Sequence, residues 1–269
     1  MEYLMADPFQ SRYFINSLAR GLAVLGVLAD AGEAVNLTFI ANSLGISMAT
    51  AYRFMYTLES LGYVERDPDN RTYQLKPKIL SLGHNYFNSS NLWQSAHPYL
   101  LKACREHGET FNLAVLDDIN ILYIDRVKTQ KILDINLEIG SKLPAYCTSM
   151  GRVLLAALPI DEAQERLRQT ERKSLTATTV TSLESLMSII DDVRRQGYAI
   201  NSGEMAPELR SVAAPVYNSD GKVAAAVNIA VNASQYDEER LRREAVPAVI
   251  GVAGAISLAL GYQEPRSKK

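Results

Sequence analysis

The sequence predicts an α+β protein, with an N-terminal winged helix-turn-helix, a helical linker, and a C-terminal mixed α/β domain whose sheet is largely antiparallel. Two observations predict this class. Residues 37–75 combine two short amphipathic helices, a tight turn and a hairpin, and from residue 110 the hydrophobic period changes from helical to strand-like. We therefore expect a winged helix-turn-helix domain at 12–75, a linker helix at 76–91 and a second domain at 92–262.

The N-terminal module should begin with a helix over residues 14–31, ended by Gly32. Four leucines at helical spacing are expected to face the core: Leu18, Leu22, Leu25 and Leu28. A second helix is predicted from apolar residues spaced i, i+3, i+4 and i+7: Leu37, Ile40, Ala41 and Leu44.

A third helix should follow after a tight turn. Gly45 suits a helix end in the left-handed conformation, and Ser47 suits the N-cap of the next helix. One stripe of that helix is expected to pack inward: Ala51, Phe54, Met55, Leu58 and Leu61.

The opposite face of the third helix has the character of a surface that reads DNA. The major groove admits a helix whose leading turn presents hydrogen-bonding side chains to base edges, and Arg53 can bind guanine or a phosphate. Strands at 63–66 and 72–75 enclose a turn-rich stretch, so Arg66 and Arg71 lie where a wing would meet the phosphate backbone. The predicted DNA-contacting residues are Ser47, Ala49, Thr50, Tyr52, Arg53, Arg66 and Arg71.

Helix-turn-helix spacing also occurs in helical bundles that never bind DNA. The hairpin that follows at once, with an arginine at each end of its turn, favours DNA binding here. The net charge of −2, from 28 Lys and Arg against 30 Asp and Glu, argues against a strong non-specific DNA binder. It is compatible with a dimer that places a few arginines well.

Composition and the start of the chain indicate a reducing cytoplasm and no membrane partner. Cys104 and Cys147 do not make a disulfide framework, and the first residues lack the basic start and apolar run of a signal peptide. Residues 245–262 are almost wholly apolar, but their alanines, glycines and proline predict a buried terminal helix.

Polar breaks and the spacing of apolar residues predict the elements of the linker and of the second domain. A helix over 77–87, a polar break at 88–91 and a helix over 92–107 are expected, and connecting helices of this kind often form a dimer contact. The other expected elements are strands at 110–116, 121–127 and 132–137, helices at 149–157, 161–168 and 182–196, a strand from 198, and a hairpin at 211–217 and 223–231.

Catalytic and metal sites are poorly supported, so we predict neither an enzyme nor a cofactor. His84, His97 and His107 share no metal-ligand spacing, and the sequence has no nucleophile elbow, P-loop or dinucleotide fingerprint. Cys147 has no histidine near it in sequence, which favours a structural or ligand-lining thiol over a nucleophile.

A binding pocket is the better hypothesis for the second domain. Residues 143–151 form a loop leading into a helix that Thr148 or Ser149 can cap, and Gly151 lets a backbone or a ligand come close. Free N–H groups and partial positive charge at such a helix start suit a carboxylate. Later strands can supply further donors: Arg210, Ser211 and Asn228.

Six stretches of the sequence resemble the IclR family of bacterial transcription regulators: residues 17–25, 40–53, 58–63, 140–144, 151–156 and 210–216. Together they span nearly the whole chain. Residues 143–152 are most similar to the branch that controls aromatic-acid catabolism through the β-ketoadipate pathway. The resemblance implies a dimer, or a dimer of dimers, whose C-terminal domain binds a small organic acid and alters binding to double-stranded operator DNA.

By position, the resemblance places an effector loop at 145–150, an apolar wall at Leu154 or Leu155, and polar wall residues at Ser211 and Asn228. Family members often carry a small hydroxyl residue where Asn228 and Ala230 stand. The predicted effector-contacting residues are Ala145, Tyr146, Cys147, Thr148, Ser149, Met150, Leu154, Leu155, Arg210, Ser211 and Asn228.

The sequence thus predicts a ligand-responsive transcriptional regulator of a catabolic operon that senses a small organic acid, either an aromatic acid or a short dicarboxylate. The alternative is a metabolite-binding protein or enzyme whose N-terminal module serves only for dimerisation. The paucity of catalytic constellations in residues 110–262 favours the regulator.

Overall fold

The structure is a computed structural model, and it describes residues 13–83, 90–129 and 137–263. The chain divides into two compact units between Ser89 and Ser90. Each unit has a hydrophobic core of its own.

The first unit is a winged helix-turn-helix, as predicted. A three-stranded antiparallel sheet, in the order β1-β3-β2, packs beside three helices. The elements are α1 Asn16–Ala31, β1 Val35–Asn36, α2 Leu37–Leu44, α3 Met48–Ser60, β2 Val64–Asp67 and β3 Thr72–Leu75. A short 3₁₀ turn at Pro77–Ile79 follows, and residues 80–83 are helical. The rest of the linker helix expected at 77–87, including His84, lies outside the described residues.

Helix caps fix the turn between α2 and α3. Gly45 ends α2 with φ 61°, in the left-handed region that glycine adopts without strain. The Ser47 hydroxyl accepts the Thr50 backbone N–H at 3.2 Å and caps α3. The Asn36 side chain caps α2 by accepting the Phe39 N–H at 2.9 Å.

The expectation that Leu18 and Leu22 face the core is wrong, since they are 59% and 60% exposed. The buried stripe of α1 is instead Ala23, Val24, Val27 and Leu28. The buried face of α1 is therefore rotated by part of a turn from the face that the leucine spacing predicts. Smaller residues of α1 make the contact with α2 and α3. Leu61, also expected inside, is exposed because α3 ends at Ser60.

The second unit is built on a six-stranded antiparallel sheet in the order β6-β5-β4-β9-β8-β7. Its strands are β4 Thr110–Asp117, β5 Asn120–Val127, β6 Lys142–Pro144, β7 Ala199–Ser202, β8 Leu209–Tyr217 and β9 Val223–Asn232. The strand expected at 132–137 lies outside the described residues except for Leu137, which is not in a strand.

Helices cover both faces of this sheet. One face packs against α4 Asn91–His107 and α8 Val246–Ala259. The other face packs against α5 Ser149–Ala156 and α7 Leu183–Gln196, with α6 Ile160–Gln169 beside them. None of the helices among the described residues has both the length and the apolar character needed to cross a membrane.

A β-bulge in β5 changes which of its residues face α5 and α7. Leu113 pairs with Asp125 and Ala114 pairs with Tyr123, so Ile124 is an extra residue in the ladder. Ile124 packs into the core beneath α4, whereas Tyr123 and Arg126 both line a cavity on the opposite face. The strict alternation of a regular strand would have placed Tyr123 and Arg126 on opposite faces.

Candidate DNA interface and ligand cavity

The predicted reading face of α3 is open to solvent. Ala49, Tyr52 and Arg53 are exposed, and Thr50 is half-buried beside the exposed Ser47. The Ser47 and Thr50 hydroxyls lie 2.9 Å apart, so the cap is held by a side-chain bond as well. A helix presented this way can enter a major groove with its first turn leading.

The wing carries Arg66 near the end of β2 and Arg71 at the end of the following turn, and the Asp67 carboxylate holds that turn in place. Asp67 accepts the backbone N–H of Asp69 at 2.9 Å and that of Asn70 at 3.2 Å. The Asn70 side chain also donates to Asp67, and this bond lowers the pKa of the Asp67 carboxyl. Arg71 adopts a left-handed φ of 55°, and both Arg66 and Arg71 are exposed. The turn therefore presents both guanidinium groups without pairing either to Asp67.

A cavity of about 120 Å³ lies between the sheet and the start of α5. An apolar space of similar size is large enough for a benzene ring. The walls include both apolar and polar side chains. The lining residues are Thr110, Asn112, Tyr123, Arg126, Lys128, Thr129, Leu137, Leu143, Thr148, Ser149, Asn201, Met205, Ala206, Leu209, Ser211, Asn228 and Ala230.

The floor of the cavity is a set of cross-strand neighbours. Asn112 on β4 pairs with Arg126 on one side and with Asn228 on the other. A second row runs from β4 across to β7: Thr110, Ala230, Ser211 and Asn201. Neighbours in such rows lie about 5 Å apart, so the polar groups of each row are close enough to act on one small molecule.

Hydrogen bonds fix most of the polar side chains at the cavity. Asn112 Nδ2 donates to Asn228 Oδ1 at 2.7 Å, and the Ser149 and Ser211 hydroxyls lie 2.8 Å apart. The Thr148 hydroxyl accepts the Gly151 N–H at 3.1 Å, which confirms Thr148 as the cap of α5. These bonds hold the start of α5 over the sheet.

Two buried polar atoms of the cavity have no hydrogen-bond partner within the described part of the chain: Asn112 Oδ1 and Arg126 Nε. Burial lowers the pKa of the Arg126 guanidinium, but arginine remains charged in proteins. Burial also raises the pKa of Tyr123 to about 12, so its hydroxyl is neutral. The cavity therefore offers the charged Arg126 donor beside neutral polar groups, and Lys128, which also lines the cavity, is paired with Glu138.

Four of the eleven predicted effector contacts line the cavity: Thr148, Ser149, Ser211 and Asn228. Six others lie in the core beneath it: Ala145, Tyr146, Cys147, Met150, Leu154 and Leu155. The loop before α5 packs directly on the helix, since a Cβ on Gly151 would lie 2.2 Å from the Ala145 carbonyl oxygen. Only the cap of the helix therefore reaches the cavity.

Arg210 also fails to line the cavity. It neighbours Ser211 on β8, and successive side chains of a strand point to opposite faces. Its guanidinium donates to the Tyr236 carbonyl oxygen instead. Arg126 is the arginine that lines the cavity wall.

Sequence reasoning missed most of the floor. Thr110 and Asn112 alternate with Phe111 and Leu113 in β4. Polar residues at every second position of a buried strand indicate a polar face on the sheet, so these two floor residues could have been predicted. Arg126 had no such signal, because the bulge at Ile124 determines its face.

Metal chemistry has no support in the described ranges, where no group of three or more His, Cys, Asp or Glu side chains could hold an ion. His97 Nδ1 lies 2.8 Å from the buried Asp125 carboxylate, and its ring stacks on Trp93. Both residues of this pair are on the face of the sheet opposite the cavity.

An open reading helix with a wing, and a separate domain around a polar cavity, define the class of ligand-binding transcriptional regulators. Comparison with known proteins gives the family. The IclR helix-turn-helix domain model matches residues 17–68, and the model of the bacterial transcriptional regulator IclR C-terminal domain matches residues 84–258. The chain belongs to the IclR family of bacterial transcriptional regulators.

The chain matches individual regulators over most of their length and of its own. The chain is 37% identical over 241 residues to the Pca regulon regulatory protein of Pseudomonas putida, covering 89% of this chain and 82% of that protein. It is 34% identical over 251 residues to the regulator KdgR of Escherichia coli K12, covering 93% and 95%. The crystal structure of an IclR transcriptional regulator from Alicyclobacillus acidocaldarius matches with a TM-score of 0.80 and 29% identity, covering 93% of this chain and all of that one.

Family membership decides between the two functions that the sequence left open. The relatives are named as transcriptional regulators, and the chain is a DNA-binding regulator with a ligand-binding domain rather than an enzyme.

Proposed function

We propose that the protein controls a catabolic operon, and that a small organic acid in the cavity changes its affinity for the operator. The observation that supports this most directly is the Arg126 guanidinium, half-buried in the cavity with its Nε unpartnered among the described residues. A cation in such a space favours an anionic ligand, because charge-assisted hydrogen bonds are about twice as strong as neutral ones.

The start of α5 supports the same ligand class. Thr148 and Ser149 line the cavity at the helix N-terminus, where backbone N–H groups and the helix dipole favour a carboxylate. Leu143, Met205 and Leu209 add apolar wall. A small acid with a flat apolar body fits this combination, so an aromatic acid is preferred over a short dicarboxylate. The similarity to a Pca regulon regulator and the resemblance of residues 143–152 point the same way.

The operator contacts are proposed for the seven residues of α3 and the wing. Arg53 would read a base or a phosphate in the major groove, while Arg66 and Arg71 would bind the backbone on either side of the wing. These three exposed arginines lie on a module whose positive and negative charges nearly balance, which suits specific binding to a short site rather than binding to any duplex.

A homodimer is proposed from the exposed apolar face of α1. Phe14, Ile15, Leu18 and Leu22 are all exposed, and the last three are about 60% exposed each. Contiguous apolar surface of this kind marks an interaction site, and a twofold axis would present two reading helices to a palindrome.

The dimer is tested by sedimentation velocity. The wild-type chain should sediment as a dimer or larger, and the double variant Leu18→Glu, Leu22→Glu should sediment as a monomer. Leu175→Glu is the matched control, since Leu175 is also exposed but lies in the second unit. A wild-type monomer at micromolar concentration would contradict the proposal.

The effector is tested by thermal shift with protocatechuate, 4-hydroxybenzoate, β-ketoadipate, pyruvate and glyoxylate. A ligand that binds only the folded form raises the melting temperature in proportion to RT ln(1 + [L]/Kd). We expect at least one aromatic acid to raise the melting temperature. Arg126→Gln should diminish this shift. The control variant Arg168→Gln, on the exposed face of α6, should leave the shift intact. No shift with any of the five acids would remove the acid-effector proposal.

A further inference from the structure

The two unpartnered atoms of the cavity belong to side chains that face each other across two strands. Asn112 and Arg126 are direct partners in the β4–β5 ladder, and the bulge at Ile124 brings Arg126 onto the cavity face. Asn112 Oδ1 is an acceptor and Arg126 Nε is a charged donor, and both atoms are buried without a partner in the described segments. A buried polar atom without a hydrogen bond is destabilising, so a group that satisfies both is favoured here.

The orientation of the Asn112 amide follows from its two cross-strand neighbours. Its Nδ2 donates to Asn228 Oδ1 at 2.7 Å, and both asparagines are buried. Turning the Asn112 amide over alone would bring its oxygen against the Asn228 oxygen, and turning both amides over would point the Asn112 NH2 group at the Arg126 guanidinium; both arrangements are repulsive. The bond to Asn228 and the charge of Arg126 together favour the orientation in which the Asn112 acceptor oxygen faces Arg126.

An acceptor beside a guanidinium discriminates between ligands. A carboxylate satisfies only half of the pair, because it has no hydrogen to give Asn112 and would be repelled by its oxygen. An unsubstituted ring edge satisfies neither atom. A hydroxyl group supplies the missing donor. A ligand that carries both a hydroxyl and an anionic or acceptor oxygen satisfies both atoms.

We propose that Asn112 and Arg126 together select acids that also carry a hydroxyl group, with the hydroxyl donating to Asn112 Oδ1 and a ligand oxygen accepting from Arg126. The inference rests on the proposed function, since it assigns specificity within the same cavity. It makes Asn112 a specificity-determining residue and assigns Asn228 the role of fixing the Asn112 amide.

Isothermal titration calorimetry on the full-length chain tests this with matched pairs of acids at one pH and salt concentration. Benzoate and 4-hydroxybenzoate form one pair, and succinate and malate form the other. The hydroxylated member should bind about tenfold more tightly or better, because a site built to hydrogen-bond a hydroxyl rejects the analogue that lacks it. Equal affinity for both members of every pair that binds would overturn the inference while leaving the acid-effector proposal standing. Binding by no member of either pair would overturn the inference, while the acid-effector proposal would still be decided by the thermal shifts with the five acids named above.

Two variants test whether Asn112 Oδ1 is the source of the preference for hydroxylated acids. Asn112→Leu, which keeps the branched shape of the side chain but has no polar atom, should bind both members of a pair with equal affinity. Asn120→Leu is the matched control, because Asn120 begins β5 outside the cavity, and this variant should keep the wild-type preference. A preference that survives in Asn112→Leu would overturn the assignment to Asn112. The wild-type comparison needs no variant, so it decides the selectivity even if Asn112→Leu fails to fold.

Discussion

Arg152 and Glu204 form a buried salt bridge joined at two points, with Nη1 2.7 Å from Oε1 and Nη2 2.8 Å from Oε2. Both side chains are less than a tenth exposed. Glu204 also accepts the Val180 N–H at 3.0 Å, and Arg152 Nε donates to the Tyr146 carbonyl oxygen at 3.1 Å. The pair therefore ties α5 and the loop before it to the segment that carries Met205 on the cavity wall.

Removing one partner of this pair should destabilise the second unit strongly. Arg152→Met leaves a buried carboxylate without its cation, and breaking such a pair costs about 3–5 kcal/mol of the free energy of unfolding. Urea unfolding followed by circular dichroism measures this. Arg195→Met breaks exposed pairs with Asp191 and Asp192 and should cost about 1 kcal/mol or less. Equal losses in the two variants would show that burial of the Arg152 pair has no energetic consequence.

A methyl group at position 151 should disturb the cap that faces the cavity. In Gly151→Ala the new Cβ would lie 2.2 Å from the Ala145 carbonyl oxygen, so the backbone must move. We expect a loss of about 1–3 kcal/mol in the free energy of unfolding, as for overpacked cores, together with weaker acid binding. In Gly254→Ala the new Cβ would meet no atom within 4 Å beyond its chain neighbours and the backbone of its own helix, so this variant should instead gain about 0.5–1 kcal/mol in the free energy of unfolding. An unfolding free energy for Gly151→Ala at or above the wild-type value would contradict the close packing of this loop.

Arg53→Ala should weaken operator binding by about 1–3 kcal/mol if Arg53 reads a base, and relax preference at one base pair. If it binds a phosphate, affinity should fall for all sequences and the salt dependence should decrease by about one ion. Fluorescence anisotropy at several salt concentrations separates the two cases. Arg168→Ala, in the second unit, serves as the control. Unchanged operator affinity in Arg53→Ala would mean that α3 is not the reading helix.

The two cysteines should be unreactive in the folded protein. Burial raises the pKa of the Cys147 thiol from 9.0 to about 11, and burial also raises the pKa of Cys104. The folded pKa lies above the unfolded one, so the stabilisation from Cys147 is complete below pH 9.0 and is lost as the pH rises toward about 11.

A thiol-specific disulfide reagent at pH 8 measures this reactivity. Neither thiol should react in the native protein, and both should react in urea. The free energy of unfolding should also fall between pH 9.0 and about 11. A cysteine that reacts at its unfolded rate under native conditions would contradict the burial.

The winged module was predictable because its signals are local. Gly45 and Ser47 are read directly from the sequence, since caps and turns depend on neighbouring residues. The inward face of α1 was not predictable in this way. Leu18 and Leu22 have the right spacing for a core stripe, but the alternative face with Val24 and Val27 is also apolar. Which of two apolar faces packs inward depends on tertiary contacts rather than on period.

The cavity was half predictable for a related reason. Thr148 and Ser149 could be placed at a helix start, and that is a local feature. The floor depends on strand register, which pairs Asn112 with Arg126. That register includes a bulge, and a bulge cannot be recognised from the sequence of one strand alone. Arg210 could have been excluded from the sequence, because it is adjacent to Ser211 in β8 and successive side chains of a strand face opposite sides of the sheet.

Operator binding measured with and without a bound acid tests the central claim most directly. An operator duplex selected in vitro from random sequences would be titrated by anisotropy at zero and at saturating acid, with saturation set by calorimetry on the same sample. We predict that the operator Kd changes severalfold or more, with a midpoint that follows occupancy of the cavity. An operator Kd that is the same at zero and full occupancy would contradict the account.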